Sequence, residues 1–214
     1  VKDGDVFDLL RASEAMLEGH FELSSGNHSD RYFQCALVLQ HPQHAETLAR
    51  ELARRAPPNI GCVVGPAMGA VTWAYEVARA LGVRGLFTER QNGRMCLRRG
   101  FRIEPGERVL VVEDVLTTGG SANEVLDVLS ELGAQPVGVG AIVNRSGANP
   151  FAARALPLVA LGEVQANLWA PHACPLCAAG GRAIKPGSRP GAAASAGGSA
   201  GGTASSRSSG KASA

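Results

Sequence analysis

The sequence predicts an α/β domain built on a mainly parallel central sheet flanked by helices. Between residues 60 and 145, short apolar runs alternate with amphipathic stretches of helix length. The runs are continuously apolar, which requires cover on both faces and favours parallel pairing. The turns GPAMG (65–69) and EDVLTTGGS (113–121) both follow such runs. They should therefore lie close together at the carboxyl ends of strands, where sheets of this kind hold ligands.

In chain order, helical periodicity covers 5–18, where Val6, Leu9, Leu10, Met16 and Leu17 can share a face, and 43–55, with Ala45, Leu48, Ala49 and Leu52. Cys62-Val63-Val64 is a strand closed by Gly65-Pro66, and a helix over 71–81 ends at Gly82. Gly85-Leu86-Phe87 is a strand, and 88–107 reads as a polar, arginine-rich connection. Val109 to Val112 is a buried strand, 122–132 a helix stopped by Gly133, and 137–143 and 156–161 are further strands.

Charge and composition exclude several classes. Residues 1–163 carry 16 Lys and Arg against 19 Asp and Glu, a net of −3, and everything after Glu163 is basic or neutral. These later bases are sparse and make no stripe for nucleic acid, nor is there a helix-turn-helix pattern. No apolar run of about 18 residues suggests a membrane span. The first residues show no basic segment leading into an apolar one, and the five cysteines are scattered, so a reduced cytoplasmic protein is expected. Of the 29 residues in 186–214, 23 are Gly, Ala or Ser; these cannot offset the entropy of ordering the chain, so a disordered tail is expected there.

The stretch VLVVEDVLTTGGS (109–121) carries the chemistry. A glycine turn before a helix offers unpaired N–H groups and a positive dipole end to an anion, and hydroxyls at 117, 118 and 121 add phosphate donors. Carboxylates would repel phosphate, so Glu113 and Asp114 need another partner: ribose hydroxyls, or Mg²⁺ that also touches phosphate oxygens. Taken alone, the acids also fit solvated strand-end charges beside a plain turn. Neither GxxxxGK[ST] nor a strand-linked GxGxxG occurs.

The whole run resembles the phosphoribosyl-pyrophosphate (PRPP) signature of the type I phosphoribosyltransferases. That resemblance implies the type I fold with a small N-terminal hood, a catalytic domain over 1–185 with the hood at about 1–40, and transfer of a 5-phosphoribosyl group to a nitrogen base with Mg²⁺ present. It assigns PRPP binding to Glu113, Asp114, Val115, Leu116, Thr117, Thr118, Gly119, Gly120 and Ser121, and a pyrophosphate loop to Pro66, Ala67, Met68 and Gly69. The metal is held mainly through PRPP, so no protein ligand is expected for it.

FELSSGNHSDRYFQ (21–34) resembles the hood of orotate phosphoribosyltransferases, and AIVNRSG (141–147) places Arg145 where that family reads orotate. A guanidinium pairs well with the carboxylate that orotate carries. Tyr32, Phe33, Thr117 and Arg145 are the implied orotate-binding residues. The ending CPLCAAGGRAIKPGSR is similar to a subgroup found in thermophilic bacteria and archaea. The implied reaction gives orotidine 5′-monophosphate and pyrophosphate in pyrimidine (UMP) synthesis. Alternatives are a purine phosphoribosyltransferase and a PRPP-sensing regulator without catalysis.

Departures from the family pattern are specific. Ser24 stands where better-known members have a lysine before the hood's SG, and GPAMGA lacks a basic side chain. The catalytic loop, TERQNGRMCLRRGF, lacks Lys and His and offers Arg90, Arg94, Arg98 and Arg99. These arginines, with Asp114, are the catalytic candidates; they stay protonated and so stabilise departing pyrophosphate electrostatically. Loop length and glycines suit a lid. In this family the loop commonly reaches the neighbouring subunit's site, implying a homodimer.

Cys174-Pro-Leu-Cys177 has the spacing of half a metal site, but no second cysteine pair follows and His172 is the nearby extra ligand. His20, His28, His41 and His44 show no ligand spacing on a helix face. Trp73 and Trp169 read as packing residues.

Overall fold

The computed structural model describes residues 3–23, 25–165 and 167–186. Ser24 and the predicted tail beyond Pro186 lie outside the described residues. The elements in chain order are α1 (Asp3–Ala12), β1 (Met16–Glu22), β2 (His28–Phe33), α2 (Ala36–Leu39), α3 (Pro42–Arg55), β3 (Cys62–Pro66), α4 (Ala70–Leu81), β4 (Arg84–Gln91), β5 (Arg94–Leu97), β6 (Arg108–Leu116), α5 (Gly120–Glu131), β7 (Gln135–Asn144), β8 (Leu158–Glu163), β9 (Leu168–Trp169) and α6 (Pro175–Ala178).

The six-stranded sheet runs β5-β4-β3-β6-β7-β8. All its neighbours pair parallel except β5, which is antiparallel to β4. The chain leaves β3 for β4 on one side and returns to β6 on the other, so strand order reverses between β3 and β6. Ligands bind at such a switch point, outside the carboxyl ends of the two strands.

Period-2 alternation builds two cores. Val63, Leu110, Val112, Ile142 and Leu161 face α1, α3 and α4, meeting Leu10, Leu48, Leu52, Trp73 and Val77. Cys62, Val64, Val109, Val111 and Val139 face the other way, onto Val125, Leu126 and Leu129 of α5. Trp73 is fully buried, as a packing residue should be.

A separate antiparallel sheet, β1-β2-β9, forms the hood. MLEGHFE and HSDRYF alternate only weakly between apolar and polar residues, so the sequence carries no clear period-2 signal for its strands β1 and β2. The helix expected over 5–18 stops at Ala12; Glu14 takes a left-handed φ of 55° and turns the chain, so Met16 and Leu17 belong to β1. The arginine-rich connection is likewise not all irregular. Residues 84–97 form a β-hairpin closed at Asn92-Gly93, whose φ values of 52° and 80° suit a two-residue hairpin turn. The last strand of the large sheet lies at 158–163 rather than 156–161.

Candidate active site

Two loops meet at the switch point. The first, after β3, runs through Pro66, Ala67, Met68 and Gly69 into α4. Its Ala67 N–H donates to the carbonyl of Thr88 at 2.7 Å, tying it to β4. The second follows β6 and enters α5. A Cβ placed on Gly69 would lie 2.9 Å from Oδ2 of Asp114, so the two loops touch through a position that tolerates no side chain. The expectation that the two turns lie together is met.

β6 does not stop at Val112 but continues through both acids to Leu116, with Glu113 opposite Ala141 and Leu116 opposite Asn144 of β7. The two adjacent carboxyls border different cavities yet stay within hydrogen-bonding reach of each other. Glu113 borders a small cavity of about 90 Å³ with Thr117, Gly119, Gly120 and Ser121. Asp114 borders the large one, where Val115 N–H donates to its Oδ1 at 2.9 Å. Burial, then the charge of Asp114, pushes Glu113 up to about 8; burial also raises Asp114. Two acids crowded out of water in this way favour a ligand that brings hydroxyls or a cation.

The glycine loop is built as a cradle. Gly119 caps α5 at φ 76°, and a Cβ there would stand 2.8 Å from Pro150, so both backbone and space demand glycine. The chain thus turns sharply into α5 with its first-turn N–H groups unpaired and the hydroxyls of Thr117 and Thr118 exposed.

The large cavity, about 660 Å³, lies between this loop and the hood. Tyr32 and Phe33 of β2, Asp114, Thr117, Thr118 and Arg145 line it, and Lys185 and Pro186 close it from the C-terminal segment. All four implied orotate residues therefore share one cavity. Arg145 is 8% exposed and sits past the end of β7, where its N–H donates to the Leu116 carbonyl at 2.8 Å. Its Nη2 donates to Oγ of Ser29 at 3.0 Å, its Nε is buried without a partner, and its Cζ lies 5.4 Å from the Phe33 ring centroid. Burial lowers the affinity of this guanidinium for its proton, and the nearby charge of Asp30 opposes that effect. A buried cation whose hydrogen bond goes to a hydroxyl is short of negative charge.

The four arginine candidates stand elsewhere. Arg90 makes a two-pronged pair with Glu124 of α5 at 2.6 and 2.7 Å, and Arg98 and Arg99 both pair with Glu89. Arg94 borders a groove against Glu124, Asp127 and Glu131 of α5. None lines the cavity that holds Asp114 and Arg145.

His20 and His28 converge on Cys174 and Cys177, all four ligand atoms lying within 4.8 Å of one another, whereas the expected extra ligand, His172, is exposed and outside the group. No helical spacing could have revealed this, because both histidines are on strands.

A parallel sheet with a hydroxyl- and glycine-rich cradle and paired acids at its switch point is the arrangement of a phosphoribosyltransferase. A family model described as the phosphoribosyl transferase domain matches residues 37–155. The orotate phosphoribosyltransferase of Pelotomaculum thermopropionicum is 56% identical over 187 residues, covering 86% of this chain and 97% of the relative. That of Desulforamulus reducens is 54% identical over 186 residues, covering 86% and 96%. Among solved structures, orotate phosphoribosyltransferase from Aeropyrum pernix superposes with a TM-score of 0.59 at 27% identity, covering 74% of this chain and 93% of that one. The chain belongs to the orotate phosphoribosyltransferase family.

Proposed function

We propose that the protein transfers the 5-phosphoribosyl group of PRPP to orotate, giving orotidine 5′-monophosphate and pyrophosphate in pyrimidine synthesis. The observation that carries the choice of base is Arg145, a buried guanidinium with no carboxylate hydrogen-bonded to it among the described residues, lining the cavity beside Asp114 and Thr117. The carboxylate of orotate supplies the missing charge, which a neutral purine cannot. Phe33 packs against the same guanidinium and Tyr32 walls the base.

Each remaining group has a task. The N–H groups and hydroxyls of residues 117–121 hold the 5′-phosphate, and Glu113 and Asp114 accept hydrogen bonds from the ribose hydroxyls. The loop at Pro66–Gly69, without a basic side chain, meets pyrophosphate through backbone N–H groups and the N-terminal end of α4. The orotate ring nitrogen gives up its proton to water and bonds to the ribose anomeric carbon as that carbon's bond to pyrophosphate oxygen breaks, through an oxocarbenium-like state.

The oxygen-donor set around Glu113 and Asp114 suits Mg²⁺, a hard cation that keeps water and phosphate ligands. Bound there with PRPP, it would neutralise charge on the departing pyrophosphate. The loop arginines add to that neutralisation from the neighbouring subunit of a homodimer, which is consistent with their distance from the cavity of their own chain. The protein is cytoplasmic in this reading; no helix among the described residues is long and apolar enough to cross a membrane. Residues 1–185 are the catalytic domain in this reading, with Pro186 completing the cavity wall.

The reading is tested by offering orotate, uracil, adenine and hypoxanthine in turn with PRPP and Mg²⁺ and measuring pyrophosphate. Turnover confined to orotate supports it; turnover with a purine, or with none, overturns it.

A further inference from the structure

Four potential ligands from two distant parts of the chain converge away from the cavity. His20 Nε2 lies 2.9 Å from His28 Nδ1, and Cys177 Sγ lies 3.6 Å from the first and 3.3 Å from the second. Cys174 Sγ is 3.4 Å from His20 Nε2. Tetrahedral zinc with bonds of about 2.3 Å to sulfur and 2.0–2.1 Å to nitrogen would place N and S ligands about 3.5 Å apart and two N ligands about 3.3 Å apart. These three N–S spacings match within a few tenths of an ångström, the two nitrogens are slightly close, and the remaining pairs of ligand atoms lie within 4.8 Å.

The fold has to arrange this group. Glu22 stands opposite His28, so His20, two residues earlier, is the diagonal neighbour of His28 on the same face. A bulge between Glu18 and Phe21 inserts one extra residue into β1 and sets the facing of His20. The ring of His20 lies close against Gly181, where an added Cβ would be 3.3 Å from Nδ1, so Nε2 is the nitrogen that meets the thiols. Cys174 and Cys177 sit at either end of the first turn of α6, and the backbone beyond α6 returns to β1, where Ile184 N–H donates to the His20 carbonyl at 2.8 Å. His28 and Cys174 are buried, which makes the site closed rather than a surface cluster.

We propose that His20, His28, Cys174 and Cys177 bind one structural Zn²⁺ that clasps the hood to the C-terminal segment. Two thiolates and two imidazoles around a tetrahedral centre select zinc over harder cations. Four protein ligands leave no open position, so the ion is not a reaction centre. The clasp fixes the segment carrying Lys185 and Pro186, which wall the large cavity, and Lys185 further pairs with Glu22 of β1 at 3.0 Å. Metal here therefore holds the base-binding wall in place without touching substrate.

The test uses the full chain, purified under reducing conditions without added metal or chelator. Elemental analysis should give about one zinc per chain. Cys174→Ser and Cys177→Ser should lose most of it, and His172→Ala should keep it. Should the serine variants fail to fold, the wild-type protein exchanged with Co²⁺ decides: tetrahedral d–d bands with thiolate charge transfer support the site. An octahedral Co²⁺ spectrum, or wild-type protein with well under half a zinc per chain, overturns it. So does a Cys174–Cys177 disulfide in the reduced preparation. None of these readouts depends on which base is the acceptor.

Discussion

Gly69 and Asp114 lie so close that a methyl group on the first would sit 2.9 Å from a carboxylate oxygen of the second. That contact joins the loop after β3 to the loop after β6 across the switch point. Gly69→Ala should displace the Asp114 carboxylate, which cannot shift freely while Val115 N–H holds it. Overpacking of this kind costs about 1–3 kcal/mol; to the extent that PRPP binding must restore the Asp114 position, the KM for PRPP should rise by about 5- to 150-fold. Steady-state kinetics with PRPP varied will check it, with the thermal midpoint of the ligand-free protein expected to fall by a few degrees.

Glu113 makes a pH prediction. Its carboxyl is pushed up to about 8 by burial and by Asp114, above the ordinary unfolded value of about 4.3. The unfolded chain therefore ionises first, and the folded state loses stability as pH rises from about 4.3 to about 8. Glu113→Gln, which cannot ionise, should raise the thermal midpoint of the ligand-free protein at pH 8.5 and change it little at pH 5. PRPP with Mg²⁺ favours the ionised acids, so binding at pH 7 should release a proton, seen as a buffer-dependent heat in titration calorimetry. Glu113→Gln should diminish that release.

The loop arginines make a prediction about assembly. Arg90, Arg98 and Arg99 are engaged with acids on their own chain and lie outside its cavity. An Arg145→Ala chain and a chain with all four loop arginines changed to Ala should each be nearly inactive. Mixed in equal amounts after dissociation, they should recover about a quarter of wild-type activity, because half the dimers are hybrids with one complete site. No recovery would mean that the loop serves its own chain.

Legibility of the sequence followed the range of the signals. The helices at α3, α4 and α5 were readable because apolar spacing is local, and the ligand loops because their residues are contiguous. The β4–β5 hairpin carried a readable sign in Asn92-Gly93 that the density of arginines obscured. β1 and β2 were hidden for a physical reason: a hood packed partly over a cavity has no clean apolar face, and β2 reads HSDRYF. The His20, His28, Cys174 and Cys177 group was beyond sequence spacing altogether, since 146 positions separate the second histidine from the first cysteine and only the closing of the C-terminal segment onto β1 unites them.

Arg145 also bears on stability. As a buried cation hydrogen-bonded to Ser29, it burdens the ligand-free fold. Arg145→Met should therefore leave the thermal midpoint of the free protein unchanged or higher, while abolishing the extra stabilisation that orotate gives the wild type in thermal melts.

The most direct test compares orotate with uracil, which differs by the carboxylate that Arg145 is proposed to read. The measurement is kcat/KM for pyrophosphate release with each base, in the wild type and in Arg145→Ala. The wild type should favour orotate by about a thousandfold or more, since a site built around a polar partner rejects the analogue lacking it. In Arg145→Ala that ratio should collapse toward unity with the KM for PRPP near normal. A preference for orotate that survives the substitution would contradict the account.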